Sequence, residues 1–289
     1  MPDKIIIFFF IIFLFNCASE PNFADRKHEK KIEILNAEHI IFIGLDGFGS
    51  KYVPKANMPN FKRMINEGAS SMNVYNILPP ISYPNWSTLF TGIPYNKQKE
   101  SNYPSILTII KNADKDISFF YEWSDMKKIS DKDNIDSVSI ASDYESTVKF
   151  AKNIKKNKPV FSSIVYSEPD NTGHEKMYGS KQYYKKLEQL DDFISIIIQA
   201  SMDAGIYNNT VFIISSDHGG LLFEHQVNLN SIRRIPLVFF GKGIKKGYTI
   251  TSPSSICDIA PTIAIILGLD APSEWTGIPL WEIFDLKRK

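Results

Sequence analysis

Cysteine is nearly absent from this chain: Cys17 and Cys257 are the two in 289 residues. A disulfide-stapled scaffold is thereby excluded, so the fold must rest on an apolar core and on any ions it binds. Excess charge of either sign is missing as well. The formal net charge is +1, with 22% charged residues. No global field therefore favours nucleic acid or an anionic membrane surface, and no specific nucleic-acid partner is expected. Lysine-rich stretches such as Lys27–Lys31 and Lys155–Lys158 are short and read as solvated faces or linkers. Long apolar runs are also lacking. The longest, Ile5 to Phe15, has eleven residues, against about 20 for a helix that spans a bilayer. No internal repeat or low-complexity segment interrupts the body.

What that short run does suit is a signal-peptide core, since it follows Lys4 and the amino terminus. Leu14-Phe15-Asn16-Cys17 resembles a bacterial lipobox, with Asn16 where a small residue is usual. The expectation is a signal peptide over 1–16, lipidation at Cys17, a polar tether over 17–37 and a catalytic domain over 38–289. The protein would be exported and held to the membrane by the lipid, on the periplasmic or cell-surface side. An uncleaved anchor and ordinary signal cleavage nearby are the alternatives. Cys257 then reads as a small buried hydrophobe.

With 43% hydrophobic residues, the remaining chain can bury one sizeable α/β core. Short apolar runs ending in turn residues predict buried strands over Ile40–Leu45 and Thr210–Ser215, and further strands over Ser71–Leu78, Ile117–Tyr121, Ser137–Ile140, Pro159–Tyr166 and Ile235–Phe240. Helices are predicted over Pro59–Gly68, Pro84–Thr91, Ser105–Asn112, Tyr144–Lys155, Tyr183–Ala204 and Ile259–Leu267. Strand and helix alternate, which argues for a mostly parallel sheet covered on both faces. Asp46, Asp170 and Asp217 each fall just past the C-terminal end of a predicted strand, the edge where open α/β sheets place ligands.

The chemistry-bearing residues gather around those aspartates. His174 lies four residues after Asp170 in PDNTGH, His218 follows Asp217 in SSDHGG, and His225 comes seven residues later. Three carboxylates and three imidazoles suffice for two divalent metals of the zinc type. Two such metals flanking a phosphoryl group clamp both the attacking and the leaving oxygen. Ser82, in PPISYPNWS, stands at a predicted helix start and is a candidate nucleophile. Asn85 is a candidate amide donor to a phosphate oxygen. Taken singly, each has a plain reading: Ser82 as a helix cap, Asn85 as a surface residue, Asp46 as a strand-end turn, His218 as a buried, hydrogen-bonded ring. Tyr75, Tyr83, Trp86, Trp123 and Tyr166 are candidates for stacking on a substrate ring or for ordinary packing.

Together the segments GLDGFG, SYPN, SEPDNTGH, SSDHGG and EHQ, followed by IPLVFFGKGIKKG, DIAPTIAIILGL and GIPL, resemble the alkaline phosphatase superfamily over about Ile40 to Leu280. They are most similar to its nucleotide pyrophosphatase/phosphodiesterase branch. The resemblance implies a three-layer α/β/α sandwich with a mostly parallel central sheet and a small or absent cap. It implies two metal ions, most simply Zn2+, one held by Asp170, His174 and His225 and the other by Asp46, Asp217 and His218. Ser82 would form a covalent phospho-enzyme, and the partner would be a small phosphodiester or pyrophosphate of the nucleotide or lipid-headgroup type. Monoesterases of the superfamily use an arginine near the nucleophile, and none lies between Ile81 and Tyr95. Sulfatases use C/S-x-P-x-R, where this chain has Trp86 in the arginine position. A phosphomonoesterase or phosphotransferase, a sulfatase-like hydrolase of the same fold, and a surface lipoprotein that uses the fold only for binding are the rival readings. Oligomeric state is left open.

Overall fold

The computed structural model describes residues 37–98, 103–131, 137–139 and 143–285. The expected signal peptide, Cys17 and nearly all of the expected tether lie outside those residues. The strands are β1 (His39–Asp46), β2 (Ala69–Tyr75), β3 (Ile117–Tyr121), β4 (Ser137–Ser139), β5 (Phe161–Pro169), β6 (Thr210–Ser215), β7 (Arg234–Gly241), β8 (Tyr248–Thr249) and β9 (Ser254–Ser255). They form one sheet in the order β4-β3-β5-β1-β6-β7-β2-β8, with β9 beside β2.

From β4 to β6 every pairing is parallel. β1 sits between β5 and β6, in register from Ile40↔Phe161 and Ile40↔Val211 onward. Their C-terminal ends therefore open on one edge, which is why three aspartates distant in sequence converge. β7 departs from the parallel run and pairs antiparallel with both β6 and β2.

Both faces of the sheet are covered, as the continuous apolar strands require. On one face Ile40, Phe42, Val211 and Ile213 pack with Trp86, Leu89 and Phe90 of the helix Ser82–Thr91 and with Ile259 and Ile263 of the helix Ile259–Ile266. On the other, Ile41, Ile43, Leu45, Phe212 and Ile214 meet Phe61, Phe150, Leu187, Leu190 and Ile194 from three further helices. Alternate residues of β1 thus serve two separate cores. Each fully buried Leu, Ile or Phe contributes about 1.5–3 kcal/mol of transfer free energy. Cys257 is buried, as expected of a small hydrophobe.

Between Gly92 and Pro159 the described residues supply β3, β4 and flanking helices rather than a separate cap. The segment PDNTGH, for which no element is predicted from sequence, leads into a short helix over Asp170–Lys176. Asp170 and His174 therefore lie at i and i+4, on one helical face. No helix among the described residues is long and apolar enough to cross a membrane.

Candidate functional site

Asp46 is the last residue of β1, Asp170 opens the helix that follows β5, and Asp217 comes two residues after β6. Ser82 is the first residue of the helix Ser82–Thr91, two residues earlier than the sequence suggests. The capping position itself belongs to Ile81. Ser82 Oγ stands 3.3 Å from Asp46 Oδ1 and 3.0 Å from His218 Nε2. The plain reading of Ser82 as a helix cap is thereby removed, and the hydroxyl faces the aspartates from a helix N-terminus, where an anion is favoured.

His218 Nε2 is the hub. It lies 3.5 Å from Asp46 Oδ1 and 3.3 Å from Asp217 Oδ2, besides the serine oxygen. One imidazole nitrogen carries at most one proton and cannot serve three oxygens at once. Asp217 Oδ2 is buried and, despite the nearby ring, has no hydrogen-bond partner of acceptable geometry. Its other oxygen accepts from the Gly47 backbone N–H at 3.1 Å. Asp46 Oδ2 accepts from the Trp86 indole N–H at 3.0 Å. The tyrosine hydroxyl of Tyr178 donates to Asp170 Oδ1.

The three histidines share one arrangement. Nδ1 of His174 lies 2.7 Å from the Phe223 carbonyl, Nδ1 of His225 lies 2.6 Å from the Pro80 carbonyl, and Nδ1 of His218 lies 3.1 Å from the Gly219 carbonyl. A carbonyl accepts only, so Nδ1 carries a proton in each; on His218 and His225 this leaves Nε2 as the lone-pair donor, the tautomer that ligating histidines adopt, whereas His174 Nε2 faces Asp170 Oδ2 as a donor. The His218 and His225 rings stack at 3.8 Å, 12° from parallel.

Electrostatics point the same way. Burial, then the neighbouring Asp217 charge, holds Asp46 well above the usual carboxylate range. Burial and Asp170 push Asp217 up to about 8. Burial presses His218 down to about 3, so its ring is neutral. Burial opposes ionisation of Asp170, but hydrogen bonds from His174 and Tyr178 and the nearby His218 outweigh it, and its value falls to about 2. His174, bonded to Asp170, rises to about 9. Clustered, buried carboxylates facing the neutral His218 imidazole are what a divalent cation stabilises, and the orphaned Asp217 oxygen is an open ligand position. The donor set fits such ions.

Among the described residues, two groups have ligand atoms within 4.8 Å of one another: Asp46, Asp217 and His218, and Asp170, His218 and His225. The first is the expected set. The second differs from expectation, with His218 where His174 was anticipated. His174 sits at the rim, its side chain 37% exposed, with Nε2 3.3 Å from Asp170 Oδ2. His225, anticipated on the loosest motif, is buried inside the cluster.

Asn85 requires a correction. It is fully buried, and its side chain staples the preceding loop. Asn85 Oδ1 accepts from Ile77 N–H at 2.8 Å, and Nδ2 donates to the Ile81 and Pro79 carbonyls at 3.0 and 3.2 Å. Its amide is consumed in shaping residues 77–81 and does not face the cluster. Asn85→Ala should therefore cost about 1–3 kcal/mol of stability by orphaning buried backbone groups, seen as a lowered Tm. A variant of normal Tm with activity reduced about a hundredfold would restore the phosphate-donor role.

Sequence reasoning treated Trp86 as packing or stacking. It is indeed fully buried, yet its N–H also aims Asp46. Gly44 is bare beneath it, since a Cβ there would lie 2.7 Å from the indole ring. Trp86→Phe keeps most of the ring volume and removes that bond. It should weaken metal binding about 10–100-fold, measured by titration of the metal-free protein. Unchanged affinity would make Trp86 packing alone. Tyr178 and Asn76, whose amide donates to the Asp217 carbonyl at 3.1 Å, carried no periodic or motif signal. Of the other aromatic candidates, Tyr166 is buried against Thr147, Tyr83 packs edge-on to Tyr95, Tyr75 lies under Arg233 and Arg234, and Trp123 lines the cleft beside Ser82.

The profile of the type I phosphodiesterase / nucleotide pyrophosphatase family matches residues 40–99 and 100–262. An ectonucleotide pyrophosphatase/phosphodiesterase, C27A7.3 of Caenorhabditis elegans, is 21% identical over 249 residues, covering 74% of this chain and 33% of that protein. Arylsulfatase K of Danio rerio is 31% identical over a shorter stretch of 106 residues, 34% of this chain and 20% of the relative. Murine ectonucleotide pyrophosphatase/phosphodiesterase 5, solved in an inactive form with AMP, superposes with a TM-score of 0.65 at 15% identity, covering 81% of this chain and 96% of the solved one. The chain thus spans a third or less of these two curated relatives. Matched across most of its described length, the chain belongs to the type I phosphodiesterase / nucleotide pyrophosphatase family.

Proposed function

We propose that this chain is a metal-dependent phosphoric ester hydrolase that cleaves phosphodiester or pyrophosphate bonds with Ser82 as its nucleophile. The observation that carries the reading is the Ser82 hydroxyl, at a helix start and within 3.3 Å of both Asp46 Oδ1 and His218 Nε2. Asp46, Asp217 and His218 would hold one divalent ion, and Asp170 and His225, with His174 at the rim, a second. Zinc is the ion this mixture of imidazole and carboxylate suits best. When bound, such ions neutralise phosphoryl charge and lower the pKa of a coordinated hydroxyl or water.

The chain's own residues do the rest. Ser82 Oγ gives up its proton and attacks phosphorus, the substituted phosphoryl group passes to the serine, and the leaving oxygen departs with its electron pair and takes up a proton. Water then attacks the phosphorylated serine, its hydroxyl staying on phosphorus and its other proton returning to Ser82 Oγ, and the phosphate monoester is released. Trp86 and the Gly47 N–H keep Asp46 and Asp217 turned inward, and the first turn of the helix Ser82–Thr91 favours the anionic group. The AMP held by the murine relative supports a small organic phosphate, of the nucleotide or lipid-headgroup type, as the substrate class. We also propose that the chain is exported and anchored through Cys17, on the sequence of residues 1–17 alone.

A sulfatase reading is favoured by the local likeness to arylsulfatase K. Against it stands Trp86, buried and hydrogen-bonded to Asp46 where the sulfatase pattern has arginine. The discriminating experiment compares the zinc-loaded protein on bis-p-nitrophenyl phosphate, p-nitrophenyl phosphate and p-nitrophenyl sulfate. The diester should be turned over fastest. Preference for the monoester or the sulfate would replace this reading with the corresponding rival.

A further inference from the structure

Ser82 opens into a cleft of about 590 Å³ whose two ends differ in chemistry. One end is the cluster of aspartates and histidines. The other is walled by Glu122, Trp123, Asp143 and Ser167, and no lysine or arginine lines the cleft among the described residues.

Glu122 directly follows β3, beside the end of β5, where its backbone N–H donates to the Val165 carbonyl at 3.2 Å. Its Oε2 accepts from the Ser167 N–H at 3.0 Å. Its Oε1 is buried with no hydrogen-bond partner of acceptable geometry. A buried acceptor left without a donor is costly, and such an exception calls for an explanation. Among the described residues no counter-charge explains it. Lys186 is the nearby cation, and it is taken by Asp143 at 2.7 Å and Glu168 at 3.6 Å. Two carboxylates thus already hold that ammonium group, and Glu122 is not among them. Burial, then the Asp143 charge, lifts Glu122 to about 7 in spite of the Ser167 N–H and the nearby Ser146 hydroxyl, which reflects the same missing cation.

We propose that this end of the cleft receives the substituent that stays on the phosphoryl group, and that Glu122 selects substituents bearing a primary ammonium group. Such a group supplies both the absent donor and the absent charge. The terminal torsion of a glutamate is soft, so Oε1 can turn to meet it. The indole of Trp123 offers an apolar and cation-attracting face alongside. A second phosphate at this end would meet Glu122 and Asp143 with no cation to receive it. The inference rests on the hydrolase reading for the identity of the reacting end, and it names the substrate class of that same site.

The test separates the two. Binding of phosphoethanolamine and of ethyl phosphate to the zinc-loaded protein is measured by calorimetry. These ligands differ by one ammonium group, and neither requires turnover. Phosphoethanolamine should bind about tenfold tighter or better, and Glu122→Gln should reduce that ratio to near unity. Equal affinities in the wild-type protein overturn the proposal, with no variant needed. So does a preference that survives Glu122→Gln in protein of normal Tm. Hydrolysis is read independently, with p-nitrophenyl ethyl phosphate. Its turnover upholds the hydrolase reading even where the ammonium preference fails, and its absence alongside a binding preference would sink only the hydrolase reading.

Discussion

Ser82→Ala is expected to lose about 10⁴-fold or more of diester turnover while folding normally. The two halves of that expectation have separate causes. Ser82 Oγ is the hydroxyl facing Asp46 and His218, and without it no phosphoserine can form. Ile81, not Ser82, holds the capping position, and the Ser82 hydroxyl is turned to Asp46 and His218, so the helix Ser82–Thr91 should lose less than about 0.5 kcal/mol. The variant should keep its metal content, since the carboxylates and imidazoles of both groups remain. Steady-state kinetics with a thermal melt on the same preparation checks both halves. A rate within about tenfold of wild type would remove Ser82 from the mechanism.

Asp217→Asn should have the next largest effect. Asp217 is fully buried, belongs to the group with Asp46 and His218, and carries the orphaned oxygen. An amide nearly matches the shape and can still accept from Gly47 N–H, but it is a poor ligand for a hard divalent ion. One metal should be lost and activity should fall about a hundredfold or more. Stability should move differently. With chelator present, the variant should melt no lower than wild type, because burial already disfavours the carboxylate charge there. With zinc present, wild type should melt higher and the variant should gain less, since an ion bound only to the folded state stabilises it by mass action. A variant that keeps both ions would contradict the ligand assignment.

Much of this architecture was legible because buried parallel strands write themselves as unbroken β-branched runs. β1, β3 and β6 contain or coincide with IIFIGL, ISFFY and TVFIIS, and the aspartates at their edge follow from where parallel strands end. The antiparallel direction of β7 was not legible, since an apolar run says nothing about which way a strand points. Nor was the helix Asp170–Lys176, whose Asn-Thr-Gly reads locally as a turn. Asn85 was misassigned for a related reason. Spacing places it in the first helical turn beside Ser82, but only the path of residues 77–81 shows which groups its amide must satisfy. Trp86, Tyr178 and Asn76 support the cluster through single hydrogen bonds across 40, 8 and 141 residues, and no local pattern announces such contacts.

Metal content per chain, measured by mass spectrometry on wild type, Asp217→Asn and Asp170→Asn purified side by side in zinc, tests the bimetallic pocket most directly. Two ions in the wild-type protein and one fewer in each variant are expected. A wild-type protein that holds no zinc, or variants that hold as much as wild type, would show that these side chains gather for some purpose other than binding metal.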